Sequence, residues 1–144
     1  MAEPVRVRQG TAEDMAAMLD VWRDAGERTG TPRRAELTRV LELDPELLLL
    51  AEAGNQIAGV IVGTTDGHWG YLKRFVVRPQ NRREGVGRAL IEELERRFVA
   101  RGIYRLTGQI RHGDAASMAL SSALGYEHEE SITVWTKALK RGAR

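Results

Sequence analysis

The apolar positions of this chain keep two periods, one of two residues and one helical, and the switches between them mark out its elements. Val5 and Val7 alternate with arginines in PVRVRQ, which predicts a short first strand. Met15, Met18, Leu19 and Trp22 then stand at helical spacing, with Thr11 and Asp14 in the N-cap and N3 places and Gly26 as the stop. Beyond the loop-like GERTGTP, Pro32 opens a second helix carrying Leu37, Val40, Leu41 and Leu43. Three strands with short links follow at 47–52, 56–64 and 69–77, the last two joined by an Asp66-Gly67 turn. Val86, Leu90, Ile91, Leu94 and Phe98 share one face of a third helix that Gly102 closes. A strand over 103–110, a short helix from the cap Asp114 to Leu124 and a last alternating strand over 132–137 complete the pattern. No repeat, low-complexity tract or linker interrupts it, so the sequence predicts one α/β domain over 1–144.

Composition narrows the chemistry. The 144 residues carry a net charge of only +2, yet 73–88 holds six basic residues and one acidic, Glu84. A local basic patch in a nearly neutral chain suits a discrete anionic ligand better than a nucleic-acid surface, and no base-reading or stacking motif accompanies it. There is no cysteine, which excludes disulfides, thiolate zinc sites and a thiol nucleophile. His68, His112 and His128 lack metal spacing, so no metal is expected. The apolar runs are too short to cross a bilayer and the first residues lack a secretory apolar core, so the expectation is a cytoplasmic protein without a membrane partner.

The patch has a distinctive centre. RPQNRREGVGRAL, 78–90, sets two glycines among four arginines between an apolar strand and an apolar helix. The first N–H groups of a helix have no internal partner and the macrodipole makes that end positive, so phosphate is a natural guest. On this reading Gly85 and Gly87 remove Cβ atoms that would hold a phosphate off the amides, and Arg82, Arg83 and Arg88 add charge-assisted bonds. A solvated basic turn is the competing reading. A P-loop is excluded because no Gly-Lys-Ser/Thr follows, and a dinucleotide fingerprint because its third small position is Leu90.

The run VVRPQNRREGVGRAL resembles motif A of the GCN5-related N-acetyltransferases, V-x-P followed by Q/R-x-x-G-x-G/A, which Val77, Pro79, Arg82, Gly85 and Gly87 fill in place. Leu124-Gly125-Tyr126 is similar to the end of that family's motif B, and the order of elements agrees along the whole chain. The resemblance implies a mixed, mostly antiparallel sheet of about six or seven strands with about four helices. It implies acetyl-CoA as co-substrate and direct acyl transfer to a primary amine of a small amino-acid-like molecule or a peptide, in a family that often forms homodimers. The residues it assigns to the cofactor are Phe75, Val76 and Val77 for pantetheine, the loop Arg82, Arg83, Glu84, Gly85, Val86, Gly87 and Arg88 for pyrophosphate, and Asp114 and Ser117 at the start of the fourth helix.

Catalysis is where the pattern breaks. The family tyrosine that protonates the leaving thiolate has Ser121 in its place, a shorter side chain and a far weaker acid. The strand that ends at V-x-P carries no carboxylate base; Lys73 and Arg74 stand there beside Tyr71, and a basic side chain facing the acceptor favours a substrate with a carboxylate or phosphate. Glu27 is the nearest alternative base by sequence. Tyr71, Ser121 and Glu27 are therefore the catalytic candidates, and a catalytically weak acyl-CoA-binding module is the alternative to an active enzyme.

Overall fold

In the computed structural model, which describes residues 4–26 and 30–141, five strands pair in chain order. β1 (Val5–Gln9), β2 (Leu48–Ala53), β3 (Gln56–Thr65) and β4 (Trp69–Val77) form an antiparallel meander. β5 (Arg105–Gly108) pairs with β4 in parallel, because the helix α3 (Val86–Ala100) carries the chain back across the sheet between them. α1 (Met15–Ala25) and α2 (Arg34–Leu43) connect β1 to β2, and α4 (Ala115–Ala123) follows β5.

Helices cover both faces of the sheet, and β2 shows how. Its Leu48 and Leu50 pack with Met18, Trp22 and Leu37 on the α1–α2 side, while Leu49 and Ala51 pack with Leu90, Leu94 and Phe98 on the α3 side. A strand buried on both faces reads as an unbroken apolar run, which accounts for Leu47 to Ala51. Each fully buried leucine there contributes about 1.5–3 kcal/mol.

The sheet has five strands where six or seven were expected. The predicted strand at 103–110 pairs only over Arg105–Gly108, and 132–137 lies outside the sheet; every residue of 127–141 is exposed and in no strand. Alternation defines the two faces of a strand but supplies no edge to pair with, and among the described residues no edge meets this segment.

Arg8 on β1 fastens the sheet to the start of α1. Its guanidinium donates to both oxygens of Asp14, at 2.8 and 2.9 Å, and also to Glu52 on β2. The Thr11 amide adds a bond to Asp14 at 2.9 Å, the local cap the sequence suggests. The Arg8 bonds above all hold the Asp14 carboxyl at about 2, against an ordinary 3.8. A depressed folded-state value stabilises the fold above the unfolded value and is lost as pH falls through the folded one. Urea unfolding of Asp14→Asn should therefore show roughly 1–2 kcal/mol less stability at neutral pH, after allowance for solvent around Arg8. It should also show a flatter acid limb than the native chain between about pH 4 and pH 2.

Candidate active site

Ile61 on β3 faces two residues of β4. Val60 pairs with Val76 and Val62 with Lys73, so Arg74 and Phe75 share the place opposite Ile61, and Arg74 takes a left-handed backbone with φ 51°. This is a β-bulge, and it bends β4. On its other side β4 pairs with β5 only from Trp69 to Leu72. From Lys73 to Val77 the outer backbone of β4 has no described strand beside it, which leaves a free strand edge.

The same strand then delivers the chain to the basic loop. A single 3₁₀ turn, Pro79–Asn81, follows β4, and Arg83 (φ 65°) and Gly85 (φ 82°) are both left-handed before α3 begins. Gly85 is the N-cap of this 15-residue helix and no side chain caps it. The first helix bond from that end runs from the Ala89 amide to the Gly85 carbonyl at 3.0 Å, which leaves the amides of Val86, Gly87 and Arg88 without helix partners. Arg82, Arg83 and Arg88 are exposed around these amides, while the one carboxylate, Glu84, is held by the Asn81 amide group at 3.2 Å. Open amides, a helix dipole and three guanidiniums are the features that binding of a multiply charged anion requires.

The two glycines serve different ends. Gly85 has open space where a Cβ would go, and its left-handed φ is what requires glycine. A Cβ on Gly87 would lie 2.8 Å from Leu120 Cδ2 and 3.0 Å from Phe75 Cζ, so bareness there lets α3 sit against β4 and α4. Packing is thus a second reason, beside access to the amide, for the absence of a side chain at Gly87.

The sequence pattern of the Acetyltransferase (GNAT) family matches residues 13–126. The chain belongs to this family. Acetyltransferase SG1711 of Sodalis glossinidius (strain morsitans) is 29% identical over 136 residues, 94% of this chain and 96% of that protein. Acetyltransferase YPTB2753 of Yersinia pseudotuberculosis serotype I is 36% identical over 97 residues, 67% of this chain and 69% of its own. Among solved structures, the aminoglycoside N-acetyltransferase AAC(6′)-Iy in complex with CoA superimposes with a TM-score of 0.77 at 18% identity, covering 96% of this chain and 97% of that one. The ribosomal-protein-alanine N-acetyltransferase of Brucella melitensis gives 0.71 at 27% identity, covering 85% and 84%.

Within this acetyltransferase fold the sequence candidates separate. Phe75 and Val77 are half-buried against the α3 side, whereas Val76 is buried under α1 and α2. The Tyr71 hydroxyl donates to Asp66 in the β3–β4 turn at 2.9 Å, and that bond pushes the phenol above its ordinary value. Lys73 is exposed, its ammonium 5.9 Å from the Tyr71 ring centre. Asp114 caps α4 by accepting from the Ser117 amide at 3.1 Å and hydroxyl at 2.8 Å. Ser121 is half-buried on α4, and Glu27 lies outside the described residues. Arg74 is already engaged. It donates to both oxygens of Glu36 on α2, each at 2.7 Å, and to the Gly30 carbonyl at 3.2 Å.

Three groups of this site went unread in the sequence. Glu36 is one, since 38 residues separate it from Arg74. Glu95 on α3 is another: it accepts from Tyr126 at 2.7 Å, and burial first, then this bond, drives the phenol well above its ordinary value. Arg78, the middle of V-x-P, is the third. Only 8% exposed, it donates to the Ile57 carbonyl at 2.7 Å and to Asp24 and Asp20 on α1 at 3.0 and 3.1 Å. The signal was the i, i+4 pair Asp20/Asp24 on α1, which means little until a cation is known to face it. Arg78→Met would strand the Ile57 carbonyl and free α1 from the end of β4. Because both aspartates remain partly in water, urea unfolding should register a loss of roughly 1–3 kcal/mol rather than the larger cost of a fully buried pair.

Proposed function

We propose that this acetyltransferase moves the acetyl group of acetyl-CoA directly to the primary amine of a small amino-acid-like molecule, with a peptide amine as the wider class. The observation that carries the reading is the uncapped start of α3 directly after a β4 whose last five residues have lost their outer strand. The amides of Val86, Gly87 and Arg88, with Arg82, Arg83 and Arg88, would hold the pyrophosphate. The free backbone of Phe75 to Val77 would pair with pantetheine, and α4 borders the loop through Leu120, with Asp114 and Ser117 fixing its first turn.

Acetyl-CoA supplies a thioester, whose C–S bond breaks as the amine nitrogen bonds the acyl carbon. The chain then has to orient the amine, stabilise charge on the carbonyl oxygen and let one proton leave. N–H groups near the bulge that point to the free outer edge of β4 are donors of the kind that stabilise an oxyanion. Glu36 has both oxygens on Arg74, so it holds the bulge against α2 rather than accepting the proton. The amine reacts neutral and its proton passes to solvent. A thiolate whose conjugate acid titrates near 8.5 leaves without full protonation, so a tyrosine acid is dispensable.

The amino-acid-like acceptor rests on Arg111. Its guanidinium lies beside Gly30 in the link between α1 and α2, 3.3 Å from where a Cβ of Gly30 would be, and no carboxylate among the described residues pairs with it. With Arg74 neutralised by Glu36, Arg111 joins the exposed Lys73 as a cation available to a carboxylate on the acceptor.

Two measurements test this reading. Arg83→Ala and Arg88→Ala should each weaken CoA about tenfold by calorimetry while leaving pantetheine, which lacks the charged nucleotide part, unchanged; equal losses for both ligands would contradict the anion site. In a screen of amines followed by release of CoA thiol, Ser121→Ala should keep kcat within a few-fold of the native value, well short of the roughly 10²–10⁴-fold loss of a general acid. The same screen should show Arg111→Ala raising KM only for acceptors that bear a carboxylate.

A further inference from the structure

Before its bulge, β4 contributes nothing to the buried cluster under α1 and α2. That cluster takes in Leu48 and Leu50 of β2 and Val60 and Val62 of β3, but of β4 only Val76. Neighbouring positions settle which side chains of β4 and β5 face this side. A Cβ on Gly70 would meet Leu106 and Phe98, and Leu72 and Leu106 pack on the α3 side. Trp69, Tyr71, Lys73, Arg105 and Thr107 therefore stand on the opposite face, the one that α1 and α2 share.

Cations dominate it. Lys73, Arg105 and, three residues beyond β5, Arg111 are exposed, and none has a carboxylate partner among the described residues. The carboxylate in the adjoining turn, Asp66, is taken up locally: it accepts from the His68 and Trp69 amides at 2.9 and 2.8 Å and from the Tyr71 hydroxyl. Two of the cations lie over rings instead. The Arg105 guanidinium is 5.7 Å from the Trp69 ring centre, in the register that sets the two residues side by side. The Lys73 ammonium is 5.9 Å from the ring centre of Tyr71. Such an attraction holds a cation in place without neutralising it. A guanidinium over an indole keeps its N–H edge for a carboxylate, while the ring beneath it is closed to a stacked base.

The cations are also spaced along the face. Lys73 stands next to the bulge, and Arg111 comes within 3.3 Å of where a Cβ of Gly30 would be, a point that Arg74 approaches at 3.9 Å. Arg105 lies beside Trp69, four residues back along β4 from Lys73, which is about 13 Å in a strand. A free amino acid at the bulge reaches the first two cations and not the third. An extended peptide of four or five residues reaches all three.

We infer that, among peptide amines, this site is built for acidic ones: the amine lies at the bulge, early carboxylates meet Lys73 and Arg111, and one at the fourth or fifth residue meets Arg105. The inference rests on the acyl-transfer reading of the β4 edge and narrows its wider class of acceptor. Charge, length and rings already covered by cations each favour this occupant over a nucleic acid.

Release of CoA thiol by the full chain tests it, with saturating acetyl-CoA and six-residue peptides amidated at their C-termini. Glutamate at the fourth or fifth position should raise kcat/KM about tenfold over the matching glutamine peptide at low salt, and added salt should shrink the gain. Arg105→Ala should bring the two peptides level. Arg105→Glu should make lysine the preferred residue at that position, a reversal that general damage to the fold does not produce. Equal rates for the glutamate and glutamine peptides in the native chain, or an Arg105→Glu variant without the reversal, would overturn the inference. So would a ten-nucleotide single strand that competes more strongly than a ten-residue polyglutamate. Those outcomes leave the transfer reading standing; it falls only if the native chain releases no CoA with any amine of the screen.

Discussion

β4 has one residue more than β3 can pair with, and the rest of the site depends on where that residue is absorbed. The bulge at Arg74 and Phe75 keeps β4 in register with β3 on both sides of Ile61 while turning its far end from β5. Without it, β4 and β5 could run on as neighbours past Leu72 and leave β4 no free edge. The cost is a non-glycine residue in the left-handed region, of order 1–3 kcal/mol, which persists only where the surroundings over-determine it. Here they do: the strained residue sends its guanidinium to Glu36 with paired bonds, so the strain and the contact to α2 hold each other in place.

A second arginine does the same for the strand's end. Four residues beyond Arg74, Arg78 binds α1 and the Ile57 carbonyl, and the chain then turns at once into the basic loop. Bulge, free strand edge and uncapped helix are thus consecutive features of one strand pinned at two points to the helices beneath it. The charges that pin it are paired with carboxylates, which leaves those of Arg82, Arg83 and Arg88 to define the positive end of α3.

The sequence was most legible where a local rule decides. The helical faces of α1, α2 and α3, the meander and the loop before α3 all follow from period and punctuation, and the structure has them within a few residues. The bulge was not legible, because its left-handed residue is an arginine rather than a glycine and nothing marks it in the chain. Glu36 and Arg78 were missed for a related reason: their partners are 38 and more than 50 residues away, and distant charge pairs have no spacing rule. The packing of Gly87 against Phe75 and Leu120 was not legible either, because both neighbours come from other elements. The last strand was expected from a real alternation, but alternation describes a segment and not the edge that receives it.

The central claim is that the outer backbone of β4 and the uncapped end of α3 form one binding surface for acyl-CoA. Amide chemical shifts of the labelled protein, followed as acetyl-CoA is added, report on it residue by residue. The account predicts saturable shifts confined mainly to two stretches, Phe75 to Val77 and Arg83 to Ala89, moving together with a single dissociation constant. Shifts centred elsewhere, or two stretches that saturate at different concentrations, would contradict it.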